Sequence, residues 1–390
     1  MTQSDTRWMG VGSATGPDAE TAGTRAARAA LRDREDSRLI VLFGNPRHDL
    51  ISVLRGVTKV TGDVPLVGCS TAGEFTGAGP IFDGVVVAVL GGSGFQFETR
   101  AVEGISRRPR EVGAEATESA ASLPGGGHTA MLMVMDGRAE RQEEVLRGAY
   151  DTLGATIPLI GGCAAPSPAD DTAFLLHDGK VLTDALVTVA MHSEAPFGIG
   201  VAHGYEPVGD PILVTRSGQG RIMELDDRPA LDVYLDRLGG PDDAYRDPEA
   251  FALFALEHPV CVDRRSGREA RLISGADFAT RALMSPADIP EGGTLWLSSS
   301  SAGTLLDSAA SARADAVRPL DGEPLGMLAF DGVGRMMMLG TEFGPENEIR
   351  RLAGDDPDLP VAGCYSAGEI ARTRGINGFH NYAVAVLAVG

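Results

Sequence analysis

"PLVGCSTAGE" at residues 65–74 and "PVAGCYSAGE" at residues 360–369 are two copies of one small-residue loop placed near opposite ends of the chain. Each carries a proline, a cysteine, hydroxyl groups and a closing glutamate. A degenerate third copy, "PLIGGCAAPS", stands at 158–167. The same surroundings recur around all three. Before the first comes the apolar run "RLIVLFGNP", then "RHDLISVLRGVTKV", where Leu50, Ile51, Leu54 and Val57 fall at helical spacing. Before the second-unit copy comes "TAMLMVMDG", then "AERQEEVLRGAYDTLG" with a stripe of Val145, Leu146, Ala149 and Leu153. Before the last come "PLGMLAFDG", a second apolar run "RMMMLG" and a shorter helical piece "PENEIRRLAG". After each copy a β-rich run follows: "GVVVAVLGG", "ALVTVAMH" or "YAVAVLAVG".

The repeated unit is strand, helix, Pro-x-x-Gly loop, strand. Strands alternating with helices predict an α/β fold, here two related layered α/β domains with mixed sheets. A chain of 390 residues exceeds one ordinary core and suits two. Between the second and third units the pattern changes. Residues 212–238 read as a strand, a Gly-containing turn, a strand and a helix that starts at Asp226 or Asp227 with Pro229 in its first turn. The expected division is a poorly ordered segment 1–19, an N-terminal domain 20–228 and a C-terminal domain 229–390.

Composition excludes several functions. The net charge of −20, from 54 acidic and 34 basic residues, repels nucleic-acid phosphates and anionic lipid. Lys59 and Lys180 are the only lysines, which leaves little room for a P-loop or Schiff-base lysine. The start "MTQSDTRWMGVGSATGPDAE" has no apolar stretch of signal-peptide kind, and no apolar run reaches membrane-spanning length, so a cytoplasmic location without membrane insertion is expected. Cys69, Cys163, Cys261 and Cys364 form no CxxC pair, and the seven histidines show no HExxH, so no metal site is expected.

The run "VGDPILVTRSGQGRIMELDDRPALDVYLDRLGG", the paired "GCSTAGE" and "GCYSAGE" loops and the closing "GEIARTRGINGFHNYAVAVLAVG" resemble the FIST proteins, bacterial sensory proteins with an amino-terminal and a carboxy-terminal FIST domain. The resemblance covers the chain from about residue 20 to its end. It implies a small-molecule-sensing module of signal transduction, often encoded with or fused to histidine kinases, chemoreceptor modules or cyclic-nucleotide enzymes. With no output domain in this sequence, a separate histidine kinase or other signalling protein is the expected partner. One branch of the family consists of haem-binding nitric-oxide sensors, which makes His380 or His203 the candidate axial ligand in an alternative reading.

Read on their own chemistry, the loops offer backbone N–H groups beside glycine, hydroxyls on Ser70, Thr71 and Ser366, and carboxyls on Glu74 and Glu369. Together with Cys69, Cys364, Arg335, His380 and Asn381 they form the candidate ligand site, suited to an amino-acid-like molecule held between the domains. The competing structural reading has the Gly and Ala of the loops packing tightly at a domain seam and the Glu capping a helix or pairing with an Arg. Arg138 and Arg335 each follow an apolar strand, where open α/β sheets place ligands. His380 is expected to share a strand face with Tyr382, Val384 and Val386. Catalysis is not expected: "GCSTAGE" departs from the G-x-S-x-G elbow at Ala72 and leads into a strand. A cysteine hydrolase would need Cys69 or Cys364 beside His203 or His380. The sensor reading requires no cofactor; haem belongs to the alternative.

Overall fold

The computed structural model describes residues 7–264, 267–287, 289–373 and 378–390. The first unit runs β1 (Trp8–Thr15), α1 (Ala19–Leu31), β2 (Ser37–Gly44), α2 (Leu50–Thr61) and β3 (Leu66–Ser70). A short hairpin, β4 (Glu74–Thr76) and β5 (Gly79–Ile81), precedes the returning strand β6 (Gly84–Gly91). The second unit repeats this order: β7 (Phe95–Glu103), α3 (Pro109–Thr117), β8 (His128–Asp136), α4 (Gln142–Leu153) and β9 (Leu159–Ala164). Its hairpin is β10 (Leu175–His177) and β11 (Lys180–Leu182), and its returning strand is β12 (Ala185–Ser193).

The third unit opens with β13 (Phe197–Ala202) and is then interrupted by an inserted block. The block contains β14 (Glu206–Gly218), β15 (Arg221–Leu225), β16 (Arg228–Pro229), α5 (Ala230–Leu238) and α6 (Pro248–Glu257). It continues through β17 (Val260–Arg264), β18 (Gly267–Arg271), β19 (Gly275–Asp277), β20 (Ala282–Met284) and β21 (Thr294–Ser299). The unit resumes with α7 (Ala302–Val317), β22 (Gly326–Gly332), α8 (Val333–Ala353) and β23 (Val361–Ser366). The hairpin β24 (Glu369–Arg372) and β25 (Phe379–His380) and the returning strand β26 (Val384–Val389) complete it.

Each unit builds the same sheet: β1-β6-β2-β3, β7-β12-β8-β9 and β13-β26-β22-β23. The last two strands of each run parallel and the others antiparallel, giving the mixed sheets that the repeat predicts. The hairpins do not stay at home. β4 pairs with β23, β10 with β3, and β24 with β9, so the three units exchange hairpins in a closed cycle. The sheets' inner faces meet in one core that includes Phe43, Leu132 and Phe330, and the helices cover the outer faces.

Close helix packing depends on glycine at matching places. A Cβ on Gly56 would lie 2.0 Å from the Glu20 carbonyl oxygen, and one on Gly148 would lie 1.9 Å from that of Arg110, so α1 and α2, like α3 and α4, touch backbone to backbone.

Several expectations change. Of the segment 1–19 expected to be poorly ordered, 1–6 lie outside the described residues, while Trp8–Thr15 forms edge strand β1, with Trp8 Nε1 donating to Asp36 at 2.8 Å. Its glycines hide it from pattern reading, yet a Cβ on Gly10 would strike the Ala30 carbonyl of α1. On α2, Ile51 is 58% exposed and Val53 takes its place in the core. "RMMMLG" belongs to α8, whose helical course breaks at Gly340 and Gly344. The helix after 212–225 starts at Ala230 with Pro229 as its N-cap, and residue 228 lies within β16.

Candidate functional site

The two quoted loops do face one another, and they are in direct contact. Ala72 N donates to the Tyr365 carbonyl at 2.9 Å, Tyr365 N donates to the Gly73 carbonyl at 2.8 Å, and Glu74 stands opposite Cys364 in the β4–β23 ladder. Within each loop the hydroxyl holds the glutamate. Thr71 Oγ1 donates to Glu74 Oε1; Ser366 Oγ donates to Glu369 Oε1 at 3.0 Å, and Ala383 N donates to its Oε2 at 3.0 Å. Burial pushes both carboxyls up to about 8, partly offset by these hydrogen bonds, so both are neutral near pH 7. Ser70 Oγ donates to the Ala165 carbonyl at 2.6 Å and accepts from Phe174 N. All of these groups are buried; the Ser70 bonds join the first unit to the second, those of Thr71 and Ser366 to the glutamates stay within their own loops, and Glu74 Oε2 has no hydrogen-bond partner.

Cys69 and Cys364 point into the central core, the second thiol lying against the first, and burial pushes Cys364 well above the ordinary thiol range. The degenerate loop is displaced by one position. Phe43, Val134 and Phe330 pair with Cys69, Gly162 and Cys364, so Cys163 is the counterpart of Ser70 and Tyr365. A shift of one residue in a strand reverses the face, and Cys163 accordingly packs with the outer cluster of α3 and α4.

Arg335 is fully buried and fully engaged. It donates to Asp331 Oδ1 and Ser308 Oγ at 3.0 Å, to the carbonyls of His203 at 2.6 Å and Leu305 at 3.0 Å, and to Glu348. Burial, reinforced by Glu348, pushes Asp331 well above the usual carboxylate range. Arg138 pairs with Asp171 at 2.7 Å on the surface.

His380 ends β25, and the chain then turns through Tyr382 at φ +54° into β26 of a different sheet, so the expected shared face with Val384 and Val386 does not form. His380 Nε2 lies 3.0 Å from the Ala371 carbonyl. His203 uses both ring nitrogens, Nε2 with the Arg268 carbonyl and Nδ1 accepting from Tyr205 N, each at 3.0 Å. Burial lowers the pKa of both rings. His203, with both ring nitrogens on backbone partners, does not fit axial haem ligation, whereas a single backbone bond through Nε2 leaves the His380 ring chemically compatible with it. No cluster of three or more metal-ligating side chains occurs among the described residues.

Strand register makes a further set of positions equivalent. Ala14, Val102 and Ala202 pair with Val85, Leu186 and Val384 at the same step of each returning strand. Two residues on stand Gly16, Gly104 and Gly204, all with positive φ. The loops after β2, β8 and β22 align so that His48 corresponds to Ala139 and Arg335, while Asp83 corresponds to Asp184 and Tyr382. In the second unit this position is closed by its own turn: Gly104 N and Ile105 N donate to the Asp184 carbonyl, and Ser106 N donates to its carboxylate. In the third it is closed by the inserted block. The Arg268 carbonyl meets His203, Leu272 N donates to Asn381 Oδ1 at 3.4 Å, and Tyr382 Oη donates to the Leu256 carbonyl at 3.0 Å.

In the first unit the position is an open cleft of about 780 Å³, lined by Thr15, Gly16, Pro17, Arg47, His48, Pro80, Ile81, Phe82 and Asp83. Asn45 ties its walls together by accepting from Arg47 N at 3.1 Å and donating to the Phe82 carbonyl at 2.8 Å. Sequence reading passed over these residues. The signal was "GNPRH" at 44–48, the counterpart of "MDGRA" at 135–139 and "DGVGR" at 331–335 in the other units.

No helix among the described residues is long and apolar enough to cross a membrane. In sequence comparisons the FIST N domain matches residues 38–228 and the FIST C domain residues 230–372. An uncharacterized protein of Mycobacterium tuberculosis (strain H37Rv) is 26% identical over 389 residues, covering 97% of this chain and 98% of its own. One of Mycobacterium bovis is 26% identical over 391 residues, with 97% of each chain covered. An uncharacterized protein of Methanocaldococcus jannaschii is 29% identical over 184 residues, 44% of this chain and 35% of that protein. The chain belongs to the FIST family, whose domains are sensor modules of signal transduction.

Proposed function

We propose that this chain is a cytoplasmic, non-enzymic sensor that binds a small amino-acid-like molecule at the junction of its two FIST regions. It reports occupancy to a separate signalling protein such as a histidine kinase. The observation that carries this reading is the exchanged hairpin β4–β5. It belongs to the first unit, completes the sheet of the third through pairs such as Ala362 with Thr76, and contributes Pro80 and Ile81 to the open cleft. A molecule seated against that hairpin acts on both regions together. A ligand that prefers one placement of the hairpin shifts the population of the whole assembly.

The buried thiols of Cys69 and Cys364 support the non-enzymic reading, since a nucleophile needs a thiolate in an accessible, electropositive setting. His203 spends both ring nitrogens on backbone, which argues against it as a haem ligand, and the haem alternative then rests on His380 alone.

Hydrogen exchange of the full chain with and without a panel of amino acids tests the proposal. Slower exchange of the Phe75, Thr76 and Gly363 amides on addition of one amino acid is the expected result. If no amino acid changes exchange anywhere in the chain, the reading is wrong.

A further inference from the structure

The cleft of the first unit contains a polar group that the fold itself leaves unused. The His48 side chain is only 8% exposed, yet its Nε2 has no hydrogen-bond partner. Its nearest acidic neighbour, Asp83 Oδ1, is 3.5 Å away, beyond good hydrogen-bonding distance. Burying an imidazole nitrogen without a partner is unfavourable, and the equivalent residue Arg335 shows the contrast, because in the third unit every side of the group is engaged. The Asp83 carboxylate is 65% exposed. Arg47 lines the same cleft, is exposed and forms no ion pair among the described residues. The apolar Pro17, Pro80, Ile81 and Phe82, the last 48% exposed, complete the lining.

Resting on the sensor reading above, we infer that this cleft is the ligand site and that it takes an α-amino acid with an apolar side chain. The ammonium group pairs with Asp83, whose Oδ1 lies 3.5 Å from His48 Nε2, so that the unpartnered imidazole nitrogen is the second acceptor beside it. Arg47 pairs with the carboxylate through its planar fork. The side chain lies on Phe82, Ile81 and Pro80, so its apolar contact is made with the exchanged hairpin and its continuation. Phe82 in turn stacks on Tyr365 of β23, with ring centroids 6.1 Å apart and planes 10° from parallel, which carries the contact into the third sheet. The other two units cannot take the same ligand, one being closed by its own turn and one by β18 and α6.

Calorimetric titration of the full chain with leucine, isoleucine, valine, methionine, phenylalanine, aspartate and lysine tests the assignment, using the wild type, Arg47→Gln and Asp83→Asn. Both altered residues are exposed, and unliganded melting curves check that the variants fold. The expected result is saturable binding of one or more apolar amino acids, weakened on the order of ten- to a hundredfold in each variant. Binding to the wild type that both variants retain in full overturns the site. A preference for aspartate or lysine overturns the ligand class. No binding of any amino acid to the wild type defeats the underlying sensor reading instead.

Discussion

Glu74 and Glu369 hold the same place in two units, opposite Cys364 and Gly162, where the second unit's hairpin has Leu175 opposite Cys69. An apolar residue in the third copy agrees with carboxyls that are neutral in the other two. Their chemistry sets a pH dependence. The folded carboxyls titrate near 8 and the unfolded ones near 4.5, so between these values the folded chain binds more protons. Stability is therefore greatest below about pH 4.5 as far as these groups are concerned, and it falls as pH rises towards 8, by a few kcal/mol per carboxyl at most. Urea unfolding at pH 5.5 and 8.5 should show a loss in the wild type and a much smaller one in the Glu74→Gln, Glu369→Gln double variant. Equal losses in the two proteins would show that the carboxyls ionise in the fold. The sequence offered these glutamates as contacts of a ligand or as a helix cap or arginine partner at a packed seam, and the structure gives them a third role, held by the hydroxyl three residues earlier in their own loop.

At the level of elements, the contacts between paired helices hang on backbone proximity. Gly148→Ala places a methyl group against the Arg110 carbonyl and should cost about 1–3 kcal/mol, lowering the melting temperature, while Gly125→Ala, with open space around it, should change little. Thermal denaturation of both variants compares them directly. The long elements were legible in the sequence because burial on one face imposes a period: all four residues expected to form the α4 stripe are buried. Ile51 failed because period alone does not say which of two nearby apolar residues, Ile51 or Val53, turns inward. The hairpin strands, two to four residues each, carry too little pattern to announce a partner in another unit. The third copy escaped correct alignment because its cysteine is shifted by one residue, which matters only once strand faces are known.

Over the whole molecule, the exchange of hairpins makes the units interdependent. A fragment of residues 1–194 leaves β4–β5 without β23 and β9 without β24; its complement leaves β23 and β24 without their partners. Each fragment alone is expected to aggregate or remain partly unfolded through its unpaired edges, and the two mixed during refolding should recover a native-like complex. Size-exclusion chromatography and circular dichroism of the separate and combined fragments check this. Two independently folded halves would remove the mechanical basis for signalling between them. The repeat of three was visible in the sequence, but the opening strand of the third unit was hidden by the block at 206–299, which separates β13 from the rest of its unit.

That block also fixes a ratio. Three equivalent positions, with one folded shut and another filled by the chain's own strand, leave a single accessible site per polypeptide among the described residues. On the proposed assignment a monomer saturates along a simple hyperbola at one molecule bound per chain, without the cooperativity that three matched sites could generate. Steepness in a cellular response then has to arise downstream, in whatever partner the proposed sensor addresses or in the number of copies that partner assembles.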